Sequence, residues 1–136
     1  MVSYSTIAKA SLEKVWEHLL FKIEHPENFV PGVSNVSILN RTDTSVIRVM
    51  DITMNGVPAT LKEKITFHPY KVRFELIEHP HMEGYVDNDA NELSDNETEV
   101  TYTAYWRNKD TKEEINNAEI IKTAVVKTIA FIEKTP

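Results

Sequence analysis

Apolar residues recur at helical spacing between Glu113 and Lys134, where Ile115, Ala118, Ile121, Ala124, Val125, Ile129 and Ile132 mark one stripe and Ile120 and Phe131 widen it. Thr111 followed by Glu114 has the T-x-x-E spacing of a capping box, which predicts that the helix starts there. The acidic first turn and Lys134 near the end suit the helix dipole. A helix of about 22 residues would run roughly 33 Å. Its apolar arc needs a broad cover, which a sheet supplies.

The chain ahead of this helix divides by period. Residues from Val2 to Lys9 alternate weakly, with Tyr4, Thr6 and Ala8 on one side, and predict a first strand. Ser11 then precedes Leu12, Val15, Trp16, Leu19, Leu20 and Ile23, an N-cap followed by an amphipathic helix. Pro26 stops that helix and opens a short second one, expected to end near Pro31-Gly32. From Val33 onward the period is 2, and turn signals at Asn40 to Asp43, Asn55-Gly56, His68-Pro69 and Ser94 to Asn96 predict strands near 33–39, 45–54, 57–67, 71–79, 83–93 and 98–107. The order is βααββββββα. It predicts an α+β domain spanning residues 1–136, in which a seven-stranded antiparallel sheet curls around the long C-terminal helix.

Composition narrows the function. The formal net charge of -6 works against binding to nucleic acid or anionic membranes. The chain has no cysteine, so thiolate chemistry and cysteine metal sites are excluded. No signal-peptide pattern opens it and no apolar run approaches a membrane span, which predicts a cytoplasmic protein with no membrane insertion. No Walker, dinucleotide, G-x-S-x-G or H-E-x-x-H motif occurs.

The Asn55-Gly56 turn fixes a register, because a two-residue hairpin loop pairs Met54 with Val57 and every further pair follows. Val46, Arg48, Met50, Ile52 and Met54 then share one face with Ile65, Glu63, Leu61, Ala59 and Val57, and Asp51 falls on the solvated face. Arg48 and Glu63 stand directly opposite each other on an apolar wall, and should pair. The turn at His68 to Lys71 carries that face onto Val72, Phe74 and Leu76, and the last strand adds Val100, Tyr102, Ala104 and Trp106. For the strand between them the parity is open. Either Val86, Asn88 and Ala90 point inward or Asp87, Asp89 and Asn91 do; apolarity favours the first set.

The stretches Leu12-Glu13-Lys14-Val15-Trp16-Glu17-His18-Leu19 and His25-Pro26-Glu27-Asn28-Phe29-Val30-Pro31-Gly32 resemble the opening of the helix-grip proteins of the START-like, SRPBCC superfamily. The AtaL-like branch is similar through Arg48, Glu63, Asn88 and Tyr102 to Trp106, so the resemblance spans nearly the whole chain. It implies a cavity for an apolar small molecule between the long helix and the sheet. Its expected lining is Arg48, Met50, Glu63, Phe74, Asn88, Tyr102 and Trp106.

Each of these residues also has a structural reading. Arg48 and Glu63 can be an ion pair that fixes register or a polar anchor for a ligand carboxylate, hydroxyl or carbonyl; desolvating the pair costs several kcal/mol per ion. Tyr102, Trp106 and Trp16 can be ordinary core. His18 and His25 are expected at the surface or at a cavity mouth. His79-Pro80-His81 lacks a third metal ligand. Asp87, Asp89 and Asn91 imitate a calcium loop, but Glu92 and Thr98 stand where that loop needs glycine and glutamate. No metal or other cofactor is therefore expected. The leading expectation is a carrier or sensor of a hydrophobic small molecule, and a homodimer stays open. The alternatives are a cyclase or isomerase using Glu63 as base with Arg48 and Tyr102, and an interaction module whose pocket is filled core.

Overall fold

The structure is a computed structural model that describes residues 1–54 and 56–136, the side chain of Met54 also lying outside the description. Its elements run β1 Val2–Ala8, α1 Leu12–Glu24, a 3-10 turn Pro26–Asn28, β2 Val33–Arg41, β3 Ser45–Met54, β4 Val57–His68, β5 Lys71–Ile77, β6 Met82–Ser94, β7 Glu97–Asn108 and α2 Ala118–Lys134. The strands form one antiparallel sheet in the order β1-β7-β6-β5-β4-β3-β2, with α2 packed chiefly against β1 and β7. This is the expected α+β arrangement.

Local chemistry sets most boundaries where the sequence places them. Ser11 Oγ accepts the backbone N–H of Lys14 at 3.2 Å and starts α1. Pro26 ends it. The 3-10 turn is shorter than the second helix expected, because Gly32 adopts φ of +82° and its carbonyl already accepts from Thr53 N at 3.0 Å, joining the ladder of β3. β5 stops at Ile77, since Glu78 turns the chain at φ of +55°.

The long helix begins later than the sequence predicts. Thr111 and Glu114 do not cap it; α2 starts at Ala118. Asn108 Oδ1 instead accepts from the N–H groups of Asp110 and Thr111, and Thr111 Oγ1 accepts from Glu113 N, which closes a tight turn. The chain doubles back along β7, with Ile115 N donating to Trp106 O at 2.8 Å and Asn108 N to Glu113 O at 2.9 Å. Glu114 pairs with the N-terminal amine of Met1. Since β1 reaches only Ala104, this strap covers the part of β7 that would otherwise be an open edge.

The Asn55-Gly56 turn falls, at Asn55, outside the described residues. On either side of it Met54 faces Val57 and Arg48 faces Glu63. β6 resolves the open parity: Val86 pairs with Phe74 and Ala104, Asn88 with Val72 and Tyr102, so Val86, Asn88 and Ala90 face inward. Asp87 lies on the outer face, yet it is buried, because Arg73 clasps its two oxygens at 2.8 and 2.9 Å.

Two apolar clusters share the inner face. The larger joins β1, α1, β7 and α2 through Val15, Leu19, Val100, Tyr102, Val125 and Ile132; the smaller gathers Met50, Ile52, Leu61, Leu76 and Trp106, with Ile115 of the strap against it. Arg48, Glu63 and Lys22 belong to neither cluster, although all three are buried.

Candidate functional site

A cavity of about 80 Å³ opens between the sheet, α1 and the first turns of α2. Six of the seven residues singled out from the sequence line it: Arg48, Met50, Glu63, Phe74, Tyr102 and Trp106. The seventh, Asn88, is fully buried and reaches the cavity through its hydrogen bond to Lys22. Val30, Asn117, Ile120, Ile121 and Ala124 complete the wall away from the sheet.

The opposition of Arg48 and Glu63 follows from strand register, and the guanidinium closes on the carboxylate with Nη2 to Oε1 at 2.6 Å. At 2% and 4% exposure, both ions are out of water. Arg48 has a second task that the sequence did not show. Its Nη1 donates to Ile23 O at 2.8 Å and Lys22 O at 3.4 Å, so it satisfies the orphan carbonyls at the end of α1 and lies at the negative pole of that helix. Asp51, on the outer face, accepts from Asn35 Nδ2 and Thr60 Oγ1.

Lys22 is the site residue that sequence reasoning missed. Its place on the arc of Val15 and Leu19, seven and three residues earlier, was the available signal, but a lysine there reads as one that extends to water. Instead the side chain turns inward. Its Nζ donates to Asn88 Oδ1 at 2.7 Å and lies 4.2 Å above the Tyr102 ring and 4.9 Å above the Phe74 ring. Burial, reinforced by the nearby Arg48 charge and opposed by Glu63, pushes the Lys22 ammonium down to about pKa 7.

Tyr102 ties the sheet to the helix. Thr128 Oγ1 donates to Ala124 O at 2.7 Å, so the phenol must be the donor in the 2.8 Å contact between Tyr102 and Thr128. Burial raises the Tyr102 phenol well above its ordinary value.

The histidines separate. His18, expected at the surface or a mouth, is instead buried at 9% exposure; its Nδ1–H donates to Lys14 O at 2.8 Å and its ring meets Phe131 edge-on. His25 is exposed. His79 Nδ1 accepts the N–H groups of His81 and Met82 at 3.0 and 2.9 Å, a turn-forming role.

A family model described as AtaL, acetylaranotin biosynthesis cluster protein L, matches residues 5–135. No curated protein matches the chain. Among solved structures, the chain is similar to the ZhuI aromatase/cyclase of Streptomyces sp. R1128, with a TM-score of 0.77 at 15% identity, covering 98% of this chain and 90% of that one. It is similar to major latex-like protein 151 of Panax ginseng, with a TM-score of 0.75 at 13% identity and coverage of 96% and 95%. The di-domain aromatase/cyclase StfQ of the steffimycin pathway gives 0.68 at 14% identity, covering 98% of this chain but 44% of that one. At these identities the likeness is one of fold, the helix-grip fold.

Proposed function

The chain belongs to the AtaL family, and on that footing we propose that it binds a small hydrophobic ligand, lipid-like, polyketide-like or aromatic, in the cavity between α2 and the sheet. The observation that carries this reading is the cavity itself, an apolar wall into which a few polar side chains converge. Its volume of about 80 Å³ is roughly half that of an engineered cavity, ~150 Å³, that holds benzene. A compact ring enters with small side-chain shifts. A larger ligand must displace the start of α2 or the segment around Val30, the wall that strand pairing does not hold.

A second reading, a cyclase or isomerase, is favoured by Lys22. Glu63 and Arg48 are committed to each other and the Tyr102 phenol to Thr128, so the three acid-base candidates named from the sequence are all engaged. An amine that titrates near neutrality inside the cavity is a better proton carrier than either.

Native mass spectrometry of the purified protein, with identification of any released compound, tests both. A low-mass compound released and unaltered by incubation with fresh protein supports binding, and a compound consumed on incubation supports the enzyme. A ligand-free mass, together with no uptake of 1-anilinonaphthalene-8-sulfonate, would make the cavity mere imperfect core.

A further inference from the structure

Four buried side-chain atoms have no hydrogen-bond partner among the described residues: Arg48 Nε, Asn88 Nδ2, Trp106 Nε1 and Asn117 Oδ1. Buried polar groups are nearly always paired, so a cluster of exceptions calls for a partner from outside the chain. Three of the four residues line the cavity, and the fourth, Asn88, is bonded to cavity-lining Lys22. Three of the four atoms are donors.

Lys22 adds to that excess. Its ammonium carries three N–H bonds, yet among the described residues only Asn88 Oδ1 accepts from it, the faces of two rings lying close by. The charged residues of the lining are Lys22, Arg48 and Glu63, two cations against one anion. Glu63 is paired with Arg48, and among the described residues Lys22 has no ion-pair partner of its own. A buried charge of this kind is costly unless something neutralises it.

We infer that the cavity selects hydrophobic acids: an apolar body against Met50, Ile52, Leu61 and Trp106, and an oxyanion head, a carboxylate or acidic phenolate or enolate, received by Lys22 with the N–H groups of Arg48 Nε, Asn88 Nδ2 and Trp106 Nε1. A carboxylate offers about four lone-pair sites, the inverse of this donor set. The inference rests on the ligand-binding reading and names its ligand class. Asn117 Oδ1, on the helix wall, is the one acceptor among these four atoms and suits a hydroxyl elsewhere on the ligand.

The charge of Lys22 then becomes a reporter. It is faced by Arg48 from β3, Glu63 from β4 and Tyr102 from β7, with uncharged Phe74 and Asn88 from β5 and β6 and only uncharged lining residues from α2. With its ordinary value lowered to about 7, Lys22 is charged in mild acid and largely neutral in mild base. An anion prefers the charged form, so its affinity falls as pH rises.

Calorimetric titration of the folded protein with benzoate, benzyl alcohol, benzylamine, 2-naphthoate and 2-naphthalenemethanol, at about pH 6 and about pH 9 where both carboxyls are ionised, tests the inference. The carboxylates should bind at least about tenfold more tightly than the matching alcohols at the lower pH, and lose about tenfold at the higher pH while the alcohols do not. Lys22→Met should erase the preference. Trp106→Phe removes a donor that has no partner among the described residues, so it should weaken the carboxylates about three- to tenfold more than it weakens the matching alcohols. Alcohols or benzylamine binding as tightly as the carboxylates overturns the inference and leaves ligand binding standing. So does a preference that survives Trp106→Phe and the higher pH, even should Lys22→Met fail to fold. No uptake of any of the five at roughly 10 mM overturns the binding reading and this inference together.

Discussion

Glu63→Gln leaves the Arg48 guanidinium buried without its counter-ion, and breaking one side of such a pair costs about 3 to 5 kcal/mol. Thermal melts should show that loss, and a melt indistinguishable from wild type would refute the energetic weight of the pair. Replacing both, Arg48→Met with Glu63→Leu, removes the desolvation cost and should recover part of the loss. Recovery is incomplete because Ile23 O loses its donor and the end of α1 stays uncapped. Lys22 has the opposite sign. Its folded value, about 7, lies below its unfolded one, so the unfolded chain binds the extra proton between them and the penalty for burying it, a few kcal/mol, is full below about pH 7 and vanishes towards pH 10.5. Lys22→Met should therefore be more stable than wild type in mild acid by an amount that shrinks as pH rises, as urea titrations at several pH values will measure. The Arg48–Glu63 pair could be read from the sequence because strand parity is arithmetic. Lys22 could not, since its burial depends on Asn88, Phe74 and Tyr102 converging from three strands, and its place on the apolar arc of α1 does not by itself tell a buried ammonium from one that extends to water.

Among the elements, β6 depends on Gly84. Its φ is +130°, and an added Cβ would collide with the carbonyl of Tyr105 on the neighbouring strand, so Gly84→Ala should destabilise by more than 2 kcal/mol or abolish soluble expression. α2 depends on its buried stripe. Val125 is wholly buried in the larger cluster, and Val125→Asp places an unpaired carboxylate there; circular dichroism should report an unfolded chain. Periodicity was sufficient for α1, for the strands and for the body of α2. It failed at the start of α2, where Ile115 continues the helical stripe in sequence but belongs to the strap. The side chain of Asn108 decided that, by taking the N–H groups of Asp110 and Thr111 and turning the chain before Thr111 could cap a helix.

For the molecule as a whole, a ligand that binds only the folded state stabilises it by about 2.7 kcal/mol at a hundred times its Kd. For a chain of this size that should raise the melting temperature by about 9 °C, readable in a thermal-shift assay with 2-naphthoate against 2-naphthalenemethanol. The architecture was legible because one period-2 region lies between helices, whereas the cavity lies between two apolar clusters and no pattern of positions encodes a void. The pairing of β1 with β7, Val2 opposite Ala104, has a further consequence. During synthesis β1 and α1 emerge first and wait for β7, which at about 5 to 20 residues per second means roughly 5 to 20 seconds on the ribosome. The apolar arc of α1 is uncovered throughout that interval. The final closure joins residues about a hundred positions apart, a long loop that slows folding and keeps apolar surface exposed on the nascent chain until the last strand arrives.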